Sequence, residues 1–596
     1  MEKKLSTIKS GAIECACVDS LQKIFMKREP LQLPEVHTLT AFPGQSVSFQ
    51  LAYRYTEPYH SYQMQVQGTK NPSVRVMAGI RDPRDPDFFV TAFPDERAKN
   101  PSGENLSISV RRVGFVPSAF PAYGESDSGY LTTEPGLFPD PLYDLGADSV
   151  IQLIPYYWRS LWIEIRVPEH GGAGKKEIEI CFTDLSGRPL VRKNISLQIL
   201  PLALPESKIL HTEWFYADCL ADYYHVTVFS EPFWQIVSNF MRTAARRGMN
   251  MILTPLFSLP LDTLIGGHRT PVQLVQVRVK RDGSYAFGFE HLDRWVGTAR
   301  EAGFSWFEMG HLFSQWGARY APSITASRAD GSEQEIFGWN TQASGNAYRE
   351  FLHAFLPALS AHLRELGIAD HTYFHISDEP NEDNIDTYRI AREMVAEDLE
   401  GYPILDALST LKYYAEGLVS HPVPTTEFIG EFLQYGMEHP WIYYCSGEYL
   451  KVSNRFFAMP SCRLRILGIQ MYLYHIEGFL HWGYNFYNSQ YSKRHINPYE
   501  VTDADDAFPS GDAFLVYPGE DGRPVESLRL LVLQEAFDDV RILTLMERKT
   551  DRKTVEEMIR NIAGMEITFD HYPQSAAFLQ EVRQEAIRRI RKAEEL

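Results

Sequence analysis

The sequence predicts a multidomain protein that combines β and α/β architecture, with an N-terminal β-sandwich, a (β/α)8 TIM barrel and a short C-terminal segment. The chain of 596 residues is longer than one hydrophobic core usually serves. Apolar and polar residues alternate in its first third, whereas apolar strands alternate with amphipathic helices after it. The expected domains are residues 1–205, 206–508 and 509–596.

The N-terminal region has the two-residue period of half-buried antiparallel strands. The segment between Asp82 and Asp148 is rich in Pro, Gly, Asp and Tyr, which predicts long loops packed on the sheets. Sheets that are apolar on one face favour a sandwich. The expected strands include VSFQLAY, SVRVMAG, SISVRRVGFV, LWIEIRV and EIEICF.

After Leu210, the alternation of apolar strands with amphipathic helices is typical of parallel βαβ units. In the helical segment SEPFWQIVSNFMRTAARRG, Ser230 is the expected N-cap and Gly248 the expected end. Eight such units predict the barrel, and a short strand and a solvated helical tail are expected beyond residue 510. The expected barrel strands are LHTEWF, NMILTPLF, FSWFEMGHLF, TYFHIS, ILDAL, TEFIG, PWIYYCS and GFLHWGYNF.

The charge and the apolar pattern restrict the partners. The net charge of −19, with no long basic run, opposes binding to nucleic acid or to an anionic membrane surface. No segment is long and apolar enough to span a membrane. The N-terminus lacks the apolar stretch of a signal peptide, so the expected location is the cytoplasm.

The acids Asp378 and Glu379 are the expected catalytic residues. They are adjacent in HISDEP, at the end of the fourth expected barrel strand, where Pro380 is expected to stop the strand. Such a break lets neighbouring side chains address one ligand, although on a regular strand they face opposite ways. An Asp-Glu dipeptide alone is most often a surface pair or a helix cap, so it is the position that favours function.

Two carboxyls on neighbouring residues favour hydrolysis of a glycosidic bond. Mutual repulsion and burial keep one of them protonated, and the reaction needs one acid and one anion. Adjacent side chains are poorly placed to flank the bond from opposite faces. They fit substrate-assisted cleavage better, in which a 2-acetamido oxygen attacks the anomeric carbon, one carboxylate stabilises the oxazolinium, and the other is acid and then base.

Substrate contacts are expected at the other strand ends. Trp482 is the expected platform for a sugar ring, with a packed aromatic rim as the alternative. Alternation along the third strand puts Glu308 and His311 on opposite faces. One of Tyr443 and Tyr444 is the candidate donor to the acetamido carbonyl. The full set of expected substrate-binding residues is Trp214, Asp218, Glu308, His311, His375, Tyr443, Tyr444, Trp482, Tyr484 and Asn485.

Several common motifs are missing from the sequence. There is no Gly-rich dinucleotide fingerprint, no phosphate-binding loop and no nucleophile elbow. The cysteines and histidines have no spacing typical of zinc ligands. We therefore expect neither a cofactor nor a metal.

The sequence resembles glycoside hydrolase family 123 in four stretches: HTEWFYADCLADYY, HISDEP, MPSCRLRILGIQMYLYHIEGFLHWGYNF, and SGDAFLVYPG with the following PVESLRLLVLQEAFDDVR. This likeness covers more than half of the chain. It implies a retaining β-N-acetylgalactosaminidase that needs no metal. It also implies that Asp378 is the acetamido stabiliser and Glu379 the acid/base.

Two other functions remain open at this stage. A glycosidase for sugars without a 2-acetamido group would use Glu379 as acid/base and another carboxylate, such as Glu308 or Glu431, as nucleophile. A carbohydrate-binding protein without turnover has no need for an acid pair. The substrate is expected to be an oligosaccharide or glycoside, while the configuration at O4, the aglycone, the linkage and the oligomeric state stay open.

Overall fold

The structure, a computed structural model, describes Ile8 and residues 11–57, 72–82, 85–91 and 106–595. The described N-terminal part forms two sheets. The first has the antiparallel order Ile13–Asp19, Ser46–Tyr55, Arg159–Arg166, Ser107–Ser118 and Gly136–Asp144. The second has the order Thr38–Ala41, Pro189–Ile199, Gly174–Thr183, Ser73–Asp82 and Asp85–Thr91, with Val150–Gln152 beside Ser73–Asp82.

The two sheets share one hydrophobic cluster. Phe49 and Ile163 from the first sheet and Ile178 and Leu197 from the second all belong to it and are buried. The alternating pattern of the sequence therefore marks strands whose apolar sides meet between the sheets.

The expected loop region between Asp82 and Asp148 lies partly outside the described residues. Within the described part, the expectation of loops is wrong for Gly136–Asp144, which is a strand. Its prolines, Pro139 and Pro141, argued against a strand. They are tolerated because this strand lies at the edge of its sheet, where amide donors are not needed on both sides.

Residues 206–595 are all described, and eight short parallel strands follow one another in them. Each pairs with the next in parallel, by a ladder or a single bridge, from the second to the eighth. The eighth pairs with the first, and the Asn250 amide beside the second donates to the His211 carbonyl of the first at 3.1 Å. In order they are Leu210–Glu213, Met251–Thr254, Trp306–Met309, Thr372–Phe374, Leu405–Ala407, His421–Val423, Trp441–Tyr443 and Gly478–His481.

The expected sixth strand, TEFIG, is wrong. The sixth strand is His421–Val423, and TEFIG forms a turn that enters the helix Ile429–Tyr435. Pro422 and Pro424 hid the strand, because proline removes ladder donors. The strand tolerates these prolines because its three residues form a ladder only with Leu405–Ala407, so amide donors are not needed on its other side.

Helices connect these strands and close the C-terminal part. The expected N-cap is confirmed, since the Phe233 amide donates to the Ser230 hydroxyl at 3.4 Å. No helix in the described part of the chain is long and apolar enough to cross a bilayer. The helices are Ala217–Tyr224, Glu231–Arg246, Glu290–Ala302, Asn346–Glu365, Ile385–Val395, Lys412–Ala415, Ile429–Tyr435, Ser461–Leu473, Leu528–Lys549, Arg552–Ala563 and Ala576–Ala593, with 3-10 turns at Ala369–His371, Glu382–Asn384 and Gln490–Ser492.

A further sheet, which the sequence did not indicate, lies in the loops after the second and third parallel strands. Its order is Tyr285–Gly288, Gln276–Val279, Ile324–Arg328 and Glu333–Phe337. These loops also carry pocket residues, so the sheet supports one side of the site.

The C-terminal segment begins with the hairpin Val516–Pro518 and Pro524–Glu526 and packs closely on the rest. A Cβ at Gly468 would lie 2.1 Å from the Ala536 carbonyl oxygen, so glycine permits this contact between two helices. The last helix is not simply solvated, because Leu579 and Ile590 are buried in the main hydrophobic cluster. The domain boundaries at 205 and 508 stay predictions.

A buried ion network joins the N-terminal sheet to the C-terminal segment. Arg111 and Arg247 each contact both Glu164 and Glu526, with Arg247 Nε 2.7 Å from Glu526 and Arg111 Nη2 2.6 Å from Glu164. Burial alone raises a carboxyl pKa, but the two guanidinium charges outweigh it and lower the pKa of Glu164 to about 2. Both acids of this network are therefore anions.

Candidate active site

Asp378 and Glu379 lie beyond the carboxyl end of the fourth parallel strand. The expectation that Pro380 stops this strand is wrong, because the strand already ends at Phe374. The backbone turns instead at Glu379, whose φ of 44° lies in the left-handed region. Strained backbone of this kind is typical of functional sites.

A neighbouring strand and a neighbouring loop hold the acid pair. The Glu379 amide donates to the Ala407 carbonyl at 3.0 Å, and the Trp316 amide donates to the Asp378 carbonyl at 2.9 Å. The end of the fifth strand and the loop after the third strand thus hold the backbone of the acid pair on both sides.

Both carboxyls open into one cavity of about 230 Å³. Its wall is largely aromatic, with polar groups at a few points, which is typical of small-ligand sites. The lining residues are Trp214, Tyr216, Leu261, Asp262, Gln315, Trp316, Asp378, Glu379, Ala407, Tyr443, Cys445, Ser446, Leu480, Trp482, Gln490, Tyr491 and Phe508.

Burial raises the pKa of both acids. For Asp378, which is 4% exposed, the charges of Glu379 and Asp406 add to the rise in pKa, and the charge of His375 and the Gln315 hydrogen bond oppose it. For Glu379, hydrogen bonds from Tyr443 and the Trp316 side chain oppose the rise in pKa. Within the described residues no lysine or arginine forms an ion pair with either carboxyl, so the raised pKa values favour keeping a proton on the pair.

Each acid has its own hydrogen-bond partner in the pocket. The Gln315 Nε2 donates to Oδ2 of Asp378 at 2.7 Å. The Tyr443 hydroxyl donates to Oε1 of Glu379 at 3.1 Å. Tyr443 was expected at the site and is there, whereas Gln315 was missed.

Asp262 is a further pocket acid that sequence reasoning missed. It lies in the loop after the second strand, where its Oδ2 accepts from the Tyr491 amide at 3.0 Å. Burial raises the pKa of Asp262 to about 6, although this hydrogen bond and the charge of Arg269 oppose the rise. The chain position after a strand end was the available signal for both Asp262 and Gln315.

Glu308 and His375 lie beneath the pocket and do not line it. His375 Nε2 is 2.9 Å from Glu308, and its Nδ1 is 3.3 Å from Asp406. Burial lowers the pKa of an imidazole, but the hydrogen bonds and charges of these two acids outweigh it and raise the pKa of His375 to about 9. We infer that this buried ionic group supports the floor of the site instead of contacting substrate.

His311 was expected to face away from Glu308, and this is wrong. The third strand ends at Met309, so alternation no longer applies at His311, which stacks on His375 with ring centroids 4.3 Å apart. Within the described residues, His311, His375 and Asp406 form the one group with ligand atoms close enough for a metal. The two rings are stacked with an interplanar angle of 18°, so their lone pairs lie in separate, nearly parallel planes, whereas a shared ion has to lie close to the plane of each ring that binds it.

Trp214 and Trp482 line the pocket as expected. The Trp214 indole donates to Glu308 at 3.3 Å, and the Trp482 indole donates to Asp512 at 2.9 Å. The Trp482 ring is partly exposed and can stack on a sugar, whereas the Trp214 ring is buried against His311 and His375. Asp512 belongs to the C-terminal segment, which therefore contributes to the shape of the site.

Besides Glu308 and His375, five expected contacts do not line the pocket, namely His311, which stacks on His375, and four others. Asp218 pairs with Arg269 at 2.7 Å. The Tyr484 hydroxyl donates to the Phe240 carbonyl, and Tyr444 is fully buried against other aromatic rings. Asn485 exchanges two hydrogen bonds of 2.9 Å with the backbone of Tyr216, a pocket residue. Proximity to a strand end did not reveal which way these side chains point.

A larger cavity, of about 350 Å³, lies between the N-terminal sheets and the helix Ala576–Ala593. Its wall includes Glu535 and Arg465, which pair with each other at 2.8 Å. Glu535 already has a cationic partner, and the wall contains no two acids adjacent in the chain, so this cavity lacks the chemistry of the smaller one.

The model of the glycoside hydrolase family 123 catalytic domain matches residues 214–546, which is more than half of the chain. The chain belongs to this family. Its members are glycosidases, so the protein is a glycoside hydrolase with a glycan substrate, as expected. No protein with a curated description matches the sequence.

Solved structures give the fold. A family 123 glycoside hydrolase from Clostridium perfringens, studied for glycolipid glycan hydrolysis, is 15% identical and superimposes with a TM-score of 0.68 over 98% of both chains. The Parabacteroides merdae β-glucuronidase is less similar, with 10% identity, a TM-score of 0.29, and 87% of this chain and 51% of that chain covered. The family 123 structure thus confirms a multidomain fold of the same kind along almost the whole chain.

Proposed function

We propose that the protein is a retaining exo-β-N-acetylhexosaminidase that removes terminal β-linked N-acetylgalactosamine by substrate-assisted catalysis. The supporting observation is that the carboxyls of Asp378 and Glu379, which are adjacent in the chain, open into one small pocket where burial raises the pKa of both. The family resemblance supports the galacto configuration and the two roles.

In the first step, Glu379 gives its proton to the glycosidic oxygen as the bond to the anomeric carbon breaks. The acetamido oxygen of the sugar attacks that carbon, and Asp378 accepts a hydrogen bond from the acetamido N–H as positive charge develops on the amide. Adjacent carboxyls suit this arrangement because the sugar's own acetamido oxygen attacks the anomeric carbon opposite the leaving group, so no second carboxylate has to reach that face.

In the second step, Glu379 takes a proton from water, and the water oxygen attacks the anomeric carbon of the oxazolinium. The acetamido group is restored, and the product keeps the β configuration. The Tyr443 hydroxyl contacts Glu379 at 3.1 Å and can donate to the ionised carboxylate or accept from the protonated acid. It accommodates both states of the acid/base.

The test compares nitrophenol release from the β-N-acetylgalactosaminide, the β-N-acetylglucosaminide and the β-galactoside. We expect cleavage of the acetamido sugars only, with the galactosaminide preferred and the β anomer as first product by NMR. Equal cleavage of the β-galactoside would contradict neighbouring-group participation. Binding of the sugars without turnover would favour a carbohydrate-binding protein.

Asp262 supports a second candidate, a glycosidase for sugars without a 2-acetamido group. Of the acids first considered for its nucleophile, Glu308 lies beneath the pocket and Glu431 lies exposed on the helix Ile429–Tyr435, whereas Asp262 lines the pocket with Glu379. The substrate panel separates the two, because only this candidate cleaves the β-galactoside.

We also propose a β-sandwich for the N-terminal sheets and a (β/α)8 barrel for the parallel strands. Their shared cluster and the closed order of parallel pairing support this. Crystallography tests it, and limited proteolysis tests the boundaries near residues 205 and 508.

We propose a cytoplasmic location with imported glycosides as substrates; recovery of the protein from the culture medium or periplasm would contradict it.

A further inference from the structure

Gln315 connects two sides of the pocket. Its Oε1 accepts from the Asp262 amide at 2.7 Å, and its Nε2 donates to Oδ2 of Asp378 at 2.7 Å. A backbone N–H can only donate, so the oxygen of the Gln315 amide has to face Asp262 and its nitrogen has to face Asp378. Oδ2 of Asp378 therefore has to accept the hydrogen bond from Gln315.

We propose that Gln315 is a positioning residue that holds Asp378 as the anion, directs its Oδ1 to the substrate, and so leaves the shared proton on Glu379. The inference rests on the proposed function, in which Asp378 has to accept from the acetamido N–H. If Asp378 carried the proton on Oδ1, its O–H and the acetamido N–H would both be donors, and no hydrogen bond could form between them.

The hydrogen-bond partners of Asp378 and Glu379 differ in whether they can both donate and accept. The Tyr443 hydroxyl can rotate, so its contact with Glu379 survives protonation of that acid. The Gln315 amide is fixed by Asp262, and its N–H stabilises the ionised form of Asp378 more than the neutral form. Asp378 is the more deeply buried of the two acids, so burial and the charges of Glu379 and Asp406 favour a proton on Asp378, whereas the Gln315 N–H and the charge of His375 oppose it.

The loop that carries Gln315 is held in place. Trp316 donates its amide to the Asp378 carbonyl at 2.9 Å. Gly317 has a φ of 111°, and a Cβ there would lie 2.5 Å from Cγ of Asn384, so only glycine fits. The amide of Gln315 therefore approaches Asp378 from a fixed backbone.

The first test is Gln315→Met, which keeps the length and removes both hydrogen bonds. We expect kcat to fall about ten-fold or more, with a smaller change in KM. Because the pKa of Asp378 rises without its donor, the acidic limb of the pH profile should move to higher pH by about one unit. Gln235→Met on the exposed face of the helix Glu231–Arg246 is the matched control and should change neither.

The second variant, Gln315→Glu, restores a donor only while the introduced carboxyl is protonated. It should recover activity over Gln315→Met at acidic pH and lose that advantage as the pH rises. A purely structural role predicts the same loss at every pH. Circular dichroism of each variant confirms the fold before the profiles are compared.

Wild-type turnover of the β-N-acetylgalactosaminide is measured first. Absence of that turnover would tell against the proposed function itself. Normal wild-type turnover, with an unmoved acidic limb in Gln315→Met and no pH-dependent recovery in Gln315→Glu, would overturn the role of Gln315 alone.

Discussion

Glu164 and Glu526 in the ion network are buried about as deeply as Asp378, with exposures of 7%, 5% and 4%. The pKa values of Glu164 and Glu526 are nevertheless lowered, whereas the pKa of Asp378 is raised. Burial raises all of them, but Arg247 and Arg111 reverse the effect at Glu164 and Glu526. At Asp378, the neighbouring Glu379 adds to the rise instead.

The comparison teaches that burial alone does not make a proton donor. A buried acid with two guanidinium partners is a structural anion, whereas two neighbouring acids without such partners have raised pKa values and favour keeping a proton between them. The two regions therefore respond in opposite ways to the same change from carboxyl to amide.

The largest effect is expected at the acid pair. Glu379→Gln and Asp378→Asn should each lower kcat on the nitrophenyl acetamido glycoside by about 10²- to 10⁴-fold, because each removes a group that acts on the reacting atoms. Steady-state kinetics measure this loss. Glu431→Gln on the exposed helix is the matched control, and a comparable loss there would contradict the assignment.

The next effect is on stability in the ion network. Arg247→Met leaves Glu164 and Glu526 with fewer cationic partners and should lower the free energy of unfolding by about 3–5 kcal/mol. Urea unfolding measures it, with the exposed Arg242→Met as control. An unchanged unfolding midpoint in Arg247→Met would show that the network adds nothing.

A smaller effect on the free energy of unfolding has opposite signs at the acid pair and in the ion network. The pKa values of Asp378 and Glu379 are raised, so their ionisation costs stability as the pH rises through the folded-state values. Glu379→Gln should therefore gain on the order of 1 kcal/mol at neutral pH. Unfolding curves at several pH values measure this gain.

Glu164→Gln should instead lose stability at neutral pH. The folded-state pKa of Glu164 is lowered to about 2, so its contribution is present above the unfolded pKa and disappears as the pH falls towards 2. Wild type and Glu164→Gln should converge in acid. Equal and pH-independent effects in both regions would remove the distinction.

The smallest effect is expected at the aromatic wall. Trp482→Phe keeps a ring in the pocket but loses the donor to Asp512, so KM should rise about five-fold with kcat little changed. Competition with the product sugar measures the same loss. A larger fall in kcat than in affinity would assign Trp482 to the chemical step.

The sequence indicated the acid pair because barrel enzymes carry catalytic groups at strand ends, and Tyr443, Trp214 and Trp482 follow the same rule. That rule gives position along the chain but not side-chain direction, which is why Asn485 was misassigned. Gln315 and Asp262 lie in long loops whose conformation no periodicity predicts. Prolines obscured both the strand His421–Val423 and the edge strand Gly136–Asp144.

The dependence on the leaving group tests the central claim most directly. It is measured with dinitrophenyl and simple alkyl β-N-acetylgalactosaminides in wild type, Glu379→Gln and Asp378→Asn. If Glu379 is the acid and Asp378 the stabiliser, Glu379→Gln should lose far less on the dinitrophenyl substrate, whose leaving group needs no proton, and Asp378→Asn should lose equally on both. Equal losses in Glu379→Gln on both substrates would contradict the account.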